Sequence, residues 1–340
     1  MILADVVLVL MWLGLTAYTL FAGADFGAGV WDLLAGRAGP GAPRRRLIEH
    51  AIGPVWEANH VWLIFVLVVL WTGFPPAFAA IASTLYLPLT AAAFGIIARG
   101  SAFAFRKTVE PFGLRRLMGA AFAFSSVVTP FFFGAIAGGV ASGRVPPGIA
   151  QGNVVTSWLN PTSLFGGVLA VGTCAYLAAV FLCADAQREG DPWLVEWFRA
   201  RGIATAVAVG ALALAGIAVL STDSPRLFAG LTHRGLPFVL VSGVAGLASA
   251  VFLVQRRLAV ARVAAGLAVT AVVWGWAAAQ YPYLLPPRLT IADAAAPRAT
   301  LGALTVSLLI GSVLLVPALV FLYTLFQRAV PYPAHAREEP

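Results

Sequence analysis

Residues 5–35 read DVVLVLMWLGLTAYTLFAGADFGAGVWDLLA. Between Asp5 and Asp25 the run carries no charge, and about 20 predominantly apolar residues suffice to cross a bilayer as a helix. No basic stretch precedes it and it exceeds the apolar core of a signal peptide, so a retained span is expected rather than a cleaved leader. The whole chain follows suit. Its 340 residues are 60% hydrophobic and 11% charged, where a soluble domain is about 45–50% apolar and about 25% charged. This composition excludes a soluble domain and indicates a polytopic membrane protein. A net charge of +8 can signal nucleic-acid binding. Here the arginines cluster at the ends of apolar runs, where they read as topology signals, so no nucleic-acid partner is expected.

Working outward from the first run, the sequence divides into nine spans in a single integral membrane domain over 1–340. They are about 5–35, 47–73, 77–105, 116–141, 162–184, 201–221, 236–255, 259–279 and 300–328. The expected fold is all-α, a membrane-embedded helical bundle. Turn signals separate the spans at Gly39-Pro40-Gly41, Gly73-Phe74-Pro75-Pro76 and Pro146-Pro147-Gly148. Pro88, Pro130 and Pro317 fall inside spans and are expected to kink them. One side of the membrane receives Arg37, Arg44, Arg45, Arg46, Arg106, Lys107, Arg115, Arg116, Arg188, Arg199, Arg201, Arg256, Arg257, Arg262, Arg328 and Arg337. The other receives only Arg144, Arg226, Arg234, Arg288 and Arg298. The positive-inside rule then sets the N-terminus outside and the C-terminus in the cytoplasm, which needs an odd number of spans. The polar segment from Asp185 to Arg201 reads as a short interfacial helix on the cytoplasmic side.

Two carboxylates lie at membrane depth: Asp25 in the first span and Glu57 in the second. An ionisable group there costs about 2.5 kcal/mol or more unless paired or wetted. If both spans are continuous helices, each carboxylate sits about 15 Å from the cytoplasmic surface and the two can face one another. Asp25 and Asp32 share a helical face, as do His50, Gly53, Glu57 and His60. The result is a candidate proton ladder from Asp32 and His50 at the surface to Asp25, Glu57 and His60, with Asn59 ordering water. Desolvation disfavours the charged form of a carboxylate, so such a group can exchange protons near neutral pH. A purely structural reading stays open: Asp25 can cap a broken turn, and Glu57 can bond a buried amide or indole. Arg99, inside the third span, can hold a carboxylate, tune the local potential, or snorkel to the surface.

Redox centres are not expected in this chain. His50 and His60 are about 15 Å apart along one continuous helix and could not share an iron, and no pairing of Met1, Met11 or Met118 suggests a haem ligand. Cys174 and Cys183 are nine apart in one apolar run, which is neither a redox nor a metal spacing. They read as inert packing residues.

Gly23-Ala24-Asp25-Phe26-Gly27-Ala28-Gly29 followed by Ile52-Gly53-Pro54-Val55-Trp56-Glu57-Ala58-Asn59-His60-Val61-Trp62-Leu63 resembles subunit II of the cytochrome bd quinol oxidase family. Arg99-Gly100 with Phe105-Arg106, Leu159-Asn160-Pro161, Gln280-Tyr281-Pro282 and the Pro286-to-Thr290 stretch fit the same pattern. The resemblance covers nearly the whole chain. It implies a haem-free subunit, with no catalytic, cofactor or metal residues of its own. The haems, two b-type and one d-type or b-type, would lie in a partner subunit I that oxidises membrane quinol and reduces dioxygen to water. It implies a heterodimer in the bacterial cytoplasmic membrane, a small accessory subunit in some assemblies, and a structural quinone or lipid in some members. Glu57 and Asp25 match residues tied to proton supply, and Trp56, Trp62, Gln280 and Arg99 take structural or electrostatic roles. The rival expectation, from another class, is a proton-coupled secondary transporter, since midplane carboxylates and kinked helices suit both.

Overall fold

A computed structural model describes residues 2–36, 38–52, 56–106 and 112–327. Almost everything in it is helix. The order is α1 (Ile2–Leu33), α2 (Ala38–Ile52), α3 (Trp56–Gly73), α4 (Pro75–Thr84), α5 (Tyr86–Arg106), α6 (Phe112–Ala141), α7 (Pro161–Glu189) and α8 (Pro192–Asp223). Then come α9 (Pro225–Thr232), α10 (Leu236–Val254), α11 (Leu258–Gln280), a two-stranded antiparallel hairpin of β1 (Tyr283–Leu285) and β2 (Leu289–Thr290), α12 (Ile291–Ala294) and α13 (Arg298–Gln327). Among the described residues eight helices are long and apolar enough to cross a membrane, or nine if the α3–α4 pair, bent by 118°, forms one broken span. Nine agrees with the number of runs read from the sequence.

Proline and small polar residues set the boundaries. Asn160 caps α7 by accepting the Ser163 amide, with Pro161 as the first helical residue. Gly190 ends α7 at φ 73°, a left-handed turn that glycine adopts without strain. Asp191 then caps α8 by accepting the Trp193 and Leu194 amides. The Asp185–Arg201 segment is therefore no separate interfacial helix: it is the end of α7, a tight turn and the first turns of α8. Gly39-Pro40-Gly41 lies inside α2 rather than in a turn, and the turn comes earlier, at Gly36, whose φ is 91°. Of the second run, residues up to Ile52 fall in α2 and those from Trp56 fall in α3, and the three between them lie outside the described residues. Pro88 acts upstream of itself. A proline has no N–H for the carbonyl four residues back and crowds it, and the chain breaks at Leu85 between α4 and α5. Pro130 and Pro317 lie within unbroken helices. The loop after α11 holds the hairpin and α12.

The innermost helix is α7, which buries an unbroken run from Cys174 to Val180. By contrast α13 has no buried residue in its most apolar window, as expected of a helix facing lipid or another subunit. Glycines set the closest approaches. A Cβ on Gly27 of α1 would collide with the Cys174 carbonyl of α7, and Gly23 faces the same residue. Gly134 and Gly138 of α6 meet Gly166 and Ser163 of α7 in the same way. Small residues four apart let transmembrane helices approach closely. Indoles add polar ties between helices: Trp31 Nε1 donates to the Ala175 carbonyl at 2.9 Å and Trp12 Nε1 to the Val273 carbonyl at 3.0 Å. Two larger apolar cores form, one around Leu177, Phe198 and Leu253 and the other around Phe74, Leu85 and Leu285. A small third cluster joins Tyr18, Ala22, Phe26 and Cys174.

Candidate functional site

Asp25 and Arg99 meet beside this third cluster. Arg99 comes from α5 and lies 2.7 Å from Asp25 Oδ1, with both side chains 2% exposed. The same Nη2 donates to the Asp25 backbone carbonyl at 2.9 Å. Its other terminal nitrogen donates to Ser126 Oγ of α6, and that hydroxyl donates to the Phe122 carbonyl at 2.6 Å. The guanidinium lies over the rings of Phe122 and Phe26, 4.5 Å and 4.9 Å from their centroids. Such a desolvated arginine is tolerable only when its charge is matched and its donors are used. Gly29 makes room for it, since a Cβ there would strike Ser126 and come within 3.2 Å of Arg99 Nη1. The Gly23-to-Gly29 pattern thus has a local reading. Gly23 and Gly27 seat α7, Gly29 seats α6, and Asp25 turns to α5.

Asp25 Oδ2 is buried and has no hydrogen-bond partner among the described residues. The same holds for Tyr18 Oη and His60 Nδ1. The His60 ring is 5.9 Å from Phe26, 6.2 Å from Tyr18 and 6.3 Å from Trp56. Asn59 is buried and its amide donates to the Phe21 carbonyl at 3.4 Å, one turn before Asp25. Trp56 packs on Phe103 and reaches within 3.5 Å of a Cβ position on Gly100, so Arg99-Gly100 gives α5 a cation toward α1 and a flat seat for an indole. The Asp25 carboxyl thus has one oxygen held by Arg99 and one unbonded among the described residues, and the cation opposite limits the cost of its charged form.

Other expected residues sit elsewhere. Glu57 is the second residue of α3, and its side chain lies outside the described residues, as do Gly53 and Pro54 and, of the basic side chains used for topology, Arg37, Arg106, Lys107, Arg115, Arg116, Arg328 and Arg337. His50 lies in α2 and His60 in α3, and the face expected through His50, Gly53, Glu57 and His60 runs through residues outside the described ones. His50 is exposed on α2, within electrostatic reach of Asp185 and Glu189. Asp32 is buried and meets Arg45 at 3.4 Å. Trp62 packs on Phe65. Gln280 is structural: it accepts from Trp276 Nε1 at 2.7 Å and donates to the Leu284 carbonyl at 2.8 Å, tying α11 to the hairpin. Ser126, Phe122 and Tyr18 were not anticipated. The serine had a readable signal, since hydroxyls inside an apolar span commonly bond across helices.

Fold and site together define an all-helical polytopic membrane protein with a buried arginine–aspartate pair joining its first, third and fourth spans. The chain belongs to the family described as cytochrome bd terminal oxidase subunit II, whose model matches residues 3–326. Among curated proteins, cytochrome bd ubiquinol oxidase subunit 2 of Bacillus subtilis (strain 168) is 26% identical over 248 residues, 69% of this chain and 68% of that protein. Cytochrome bd-I ubiquinol oxidase subunit 2 of Escherichia coli (strain K12) is 26% identical over 61% of this chain, a match spanning 54% of its own length. Among solved structures, a chain of the bd oxidase from Geobacillus thermodenitrificans superposes with a TM-score of 0.77 at 26% identity, covering 96% of this chain and 99% of that one.

Proposed function

We propose that this chain is the haem-free subunit of a quinol:dioxygen oxidoreductase, packs on a haem-bearing subunit I, and supplies cytoplasmic protons to chemistry performed there. Family membership supports the assembly and favours it over the rival transporter reading. The observation that carries the proton role is the buried Asp25 carboxylate. One oxygen is bound by Arg99, and the other is buried near the His60 and Tyr18 cluster without a partner among the described residues. Most buried side-chain polar atoms have a hydrogen-bond partner, and an oxygen left without one suits a group that exchanges a proton. In this reading Asp25 and Glu57 are relay groups, Asp32 and His50 line the approach from the cytoplasm, and His60 and Asn59 order water. The arginine-rich ends of the spans face the cytoplasm, with the N-terminus outside. The haems, two b-type and one d-type or b-type, belong to the partner, and uptake of protons from one side makes turnover electrogenic. The setting is a bacterial cytoplasmic membrane holding quinol; a small accessory subunit and a structural quinone or lipid complete the proposal.

The test is replacement of the relay groups in the assembled oxidase. Asp25→Asn and Glu57→Gln should each lower quinol oxidation and charge movement several-fold while the haem spectrum persists. Unchanged turnover with unchanged charge movement in both variants removes the relay role and leaves assembly alone.

A further inference from the structure

At the arginine-rich end of the bundle, two cations share one indole. The Arg201 guanidinium lies 3.4 Å from the Trp197 ring centroid, and that of Arg44 lies 4.7 Å from the same ring and 4.6 Å from Trp193. Among the described residues neither arginine meets a carboxylate. Asp32, Asp185 and Glu196 at this end are engaged by Arg45, by Arg188 with Arg262, and by Arg199 with Arg256. Backbone carbonyls of Ala35 and Trp197 take one donor from each cation, and Arg44 Nε is buried without a partner among the described residues. Two like charges on one ring repel, and an anion between them relieves that repulsion.

The second observation lies on the same stripe of α8. One turn beyond Arg201, Thr205 opens an apolar groove of about 400 Å³ between α6, α7 and α8, lined among others by Val127, Phe131, Val168, Gly172 and Val209 and ending at Leu212. Arg201 to Leu212 spans about 16 Å of helix, roughly half the hydrocarbon thickness of a bilayer. That is the depth of one leaflet. The groove has almost no polar lining, so it suits a hydrocarbon chain and no headgroup. Basic pockets at this level recognise anionic lipid headgroups, and Trp193 and Trp197 fit the aromatic belt of a membrane interface.

We propose that Arg44, Arg201, Trp193 and Trp197, together with the groove beneath them, bind one anionic phospholipid, its phosphate between the arginines and an acyl chain along α8. The site is separate from the Asp25 group and stands whether or not the relay does.

The test uses the full-length chain in the assembly with which it purifies, with bound lipid counted by native mass spectrometry. One phosphatidylglycerol should survive detergent washing that strips phosphatidylcholine, and millimolar inorganic phosphate should not displace it. Retention should fall about tenfold or more in Arg44→Gln/Arg201→Gln, and Gly172→Leu, which fills the groove and leaves the arginines alone, should also release the lipid. Equal retention of the two lipids by the unmodified protein overturns the proposal, and so does displacement by phosphate, which would make this a free-anion site. Retention unchanged in both variants overturns it equally. The unmodified protein alone decides if the variants do not assemble.

Discussion

Asp25 and Arg99, 74 residues apart in the chain, form a fully buried ion pair at 2.7 Å that ties α1 to α5. Breaking such a pair from one side leaves an uncompensated charge, which costs about 3–5 kcal/mol, whereas removing both charges is far milder. Arg99→Gln should therefore lower the melting temperature and yield of the purified protein sharply. Asp25→Asn/Arg99→Gln should recover more than half of that loss. Thermal unfolding of the single and double variants measures this directly. A single variant that melts with the wild type would mean the pair contributes nothing to the fold.

The approach of α1 to α7 makes a sharper steric prediction. A Cβ on Gly27 has no room against the Cys174 carbonyl and the Ala178 side chain, whereas one on Gly243 meets nothing within 4 Å. Gly27→Ala should destabilise by about 1–3 kcal/mol through overpacking, because backbone cannot yield as a side-chain tip does. It should also disturb the setting of Asp25 two residues away, so turnover of the assembled oxidase should fall with stability. Gly243→Ala should be neutral or stabilising by up to about 1 kcal/mol, as a helix gains from the exchange. Comparing the two melting curves separates a packing glycine from a passive one.

Span number and class were legible in the sequence because bilayer thickness imposes a length that hydropathy reads directly. The place of Asp25 inside the first long helix was legible too, and so was Arg99 as a possible holder of a carboxylate. The ladder over His50, Gly53, Glu57 and His60 passes through Gly53 and the Glu57 side chain, which lie outside the described residues. The polar stretch from Asp185 to Arg201 looked like a surface helix because its charges were read without their partners. In the fold Asp185 meets Arg188 and Arg262, and Asp191 is spent as a cap. The Ser126 contact could not be derived, because which face of α6 meets Arg99 depends on the α6–α7 glycine seat, a tertiary relationship with no period of its own.

At the opposite end from the arginine cluster, Asp223 closes the α7–α8 pair. Its carboxylate takes two bonds from Arg144, at 2.7 and 3.0 Å, and two from Thr162, amide at 3.1 Å and hydroxyl at 2.5 Å. Charge-assisted hydrogen bonds contribute about 1.5–3 kcal/mol each when lost singly, and bonds in one network do not add. Asp223→Ala should cost about 2–3 kcal/mol, and Asp223→Asn less, since the amide still offers one acceptor. Neither should change turnover of the assembled oxidase, because the group bonds α7 at Thr162, in its first turn, whereas the Asp25 stretch of α1 meets α7 at Cys174. A melting-temperature loss with unaltered specific activity is the expected pair of results; lost activity at full stability would contradict it.

The two cysteines give a final check on the packing around the site. Cys174 and Cys183 are free and buried, 7% and 0% exposed. Cys183 Sγ is 3.4 Å from the Val195 carbonyl, and Cys174 Sγ faces Gly23 at 3.7 Å from its Cβ position. Reactivity needs a thiolate and access, and both thiols here lack access. Neither should label with a water-soluble maleimide in the native protein, and both should label once it is unfolded in detergent. Labelling of Cys174 alone should appear in Gly27→Ala, where the α1–α7 seam is forced open beside it, while Cys183, on the far side of α7's long buried run, stays closed. Mass spectrometry of tryptic peptides distinguishes the two sites. Native labelling of Cys174 in the unmodified protein would show that the α1–α7 seam is open to reagent, against the packing described.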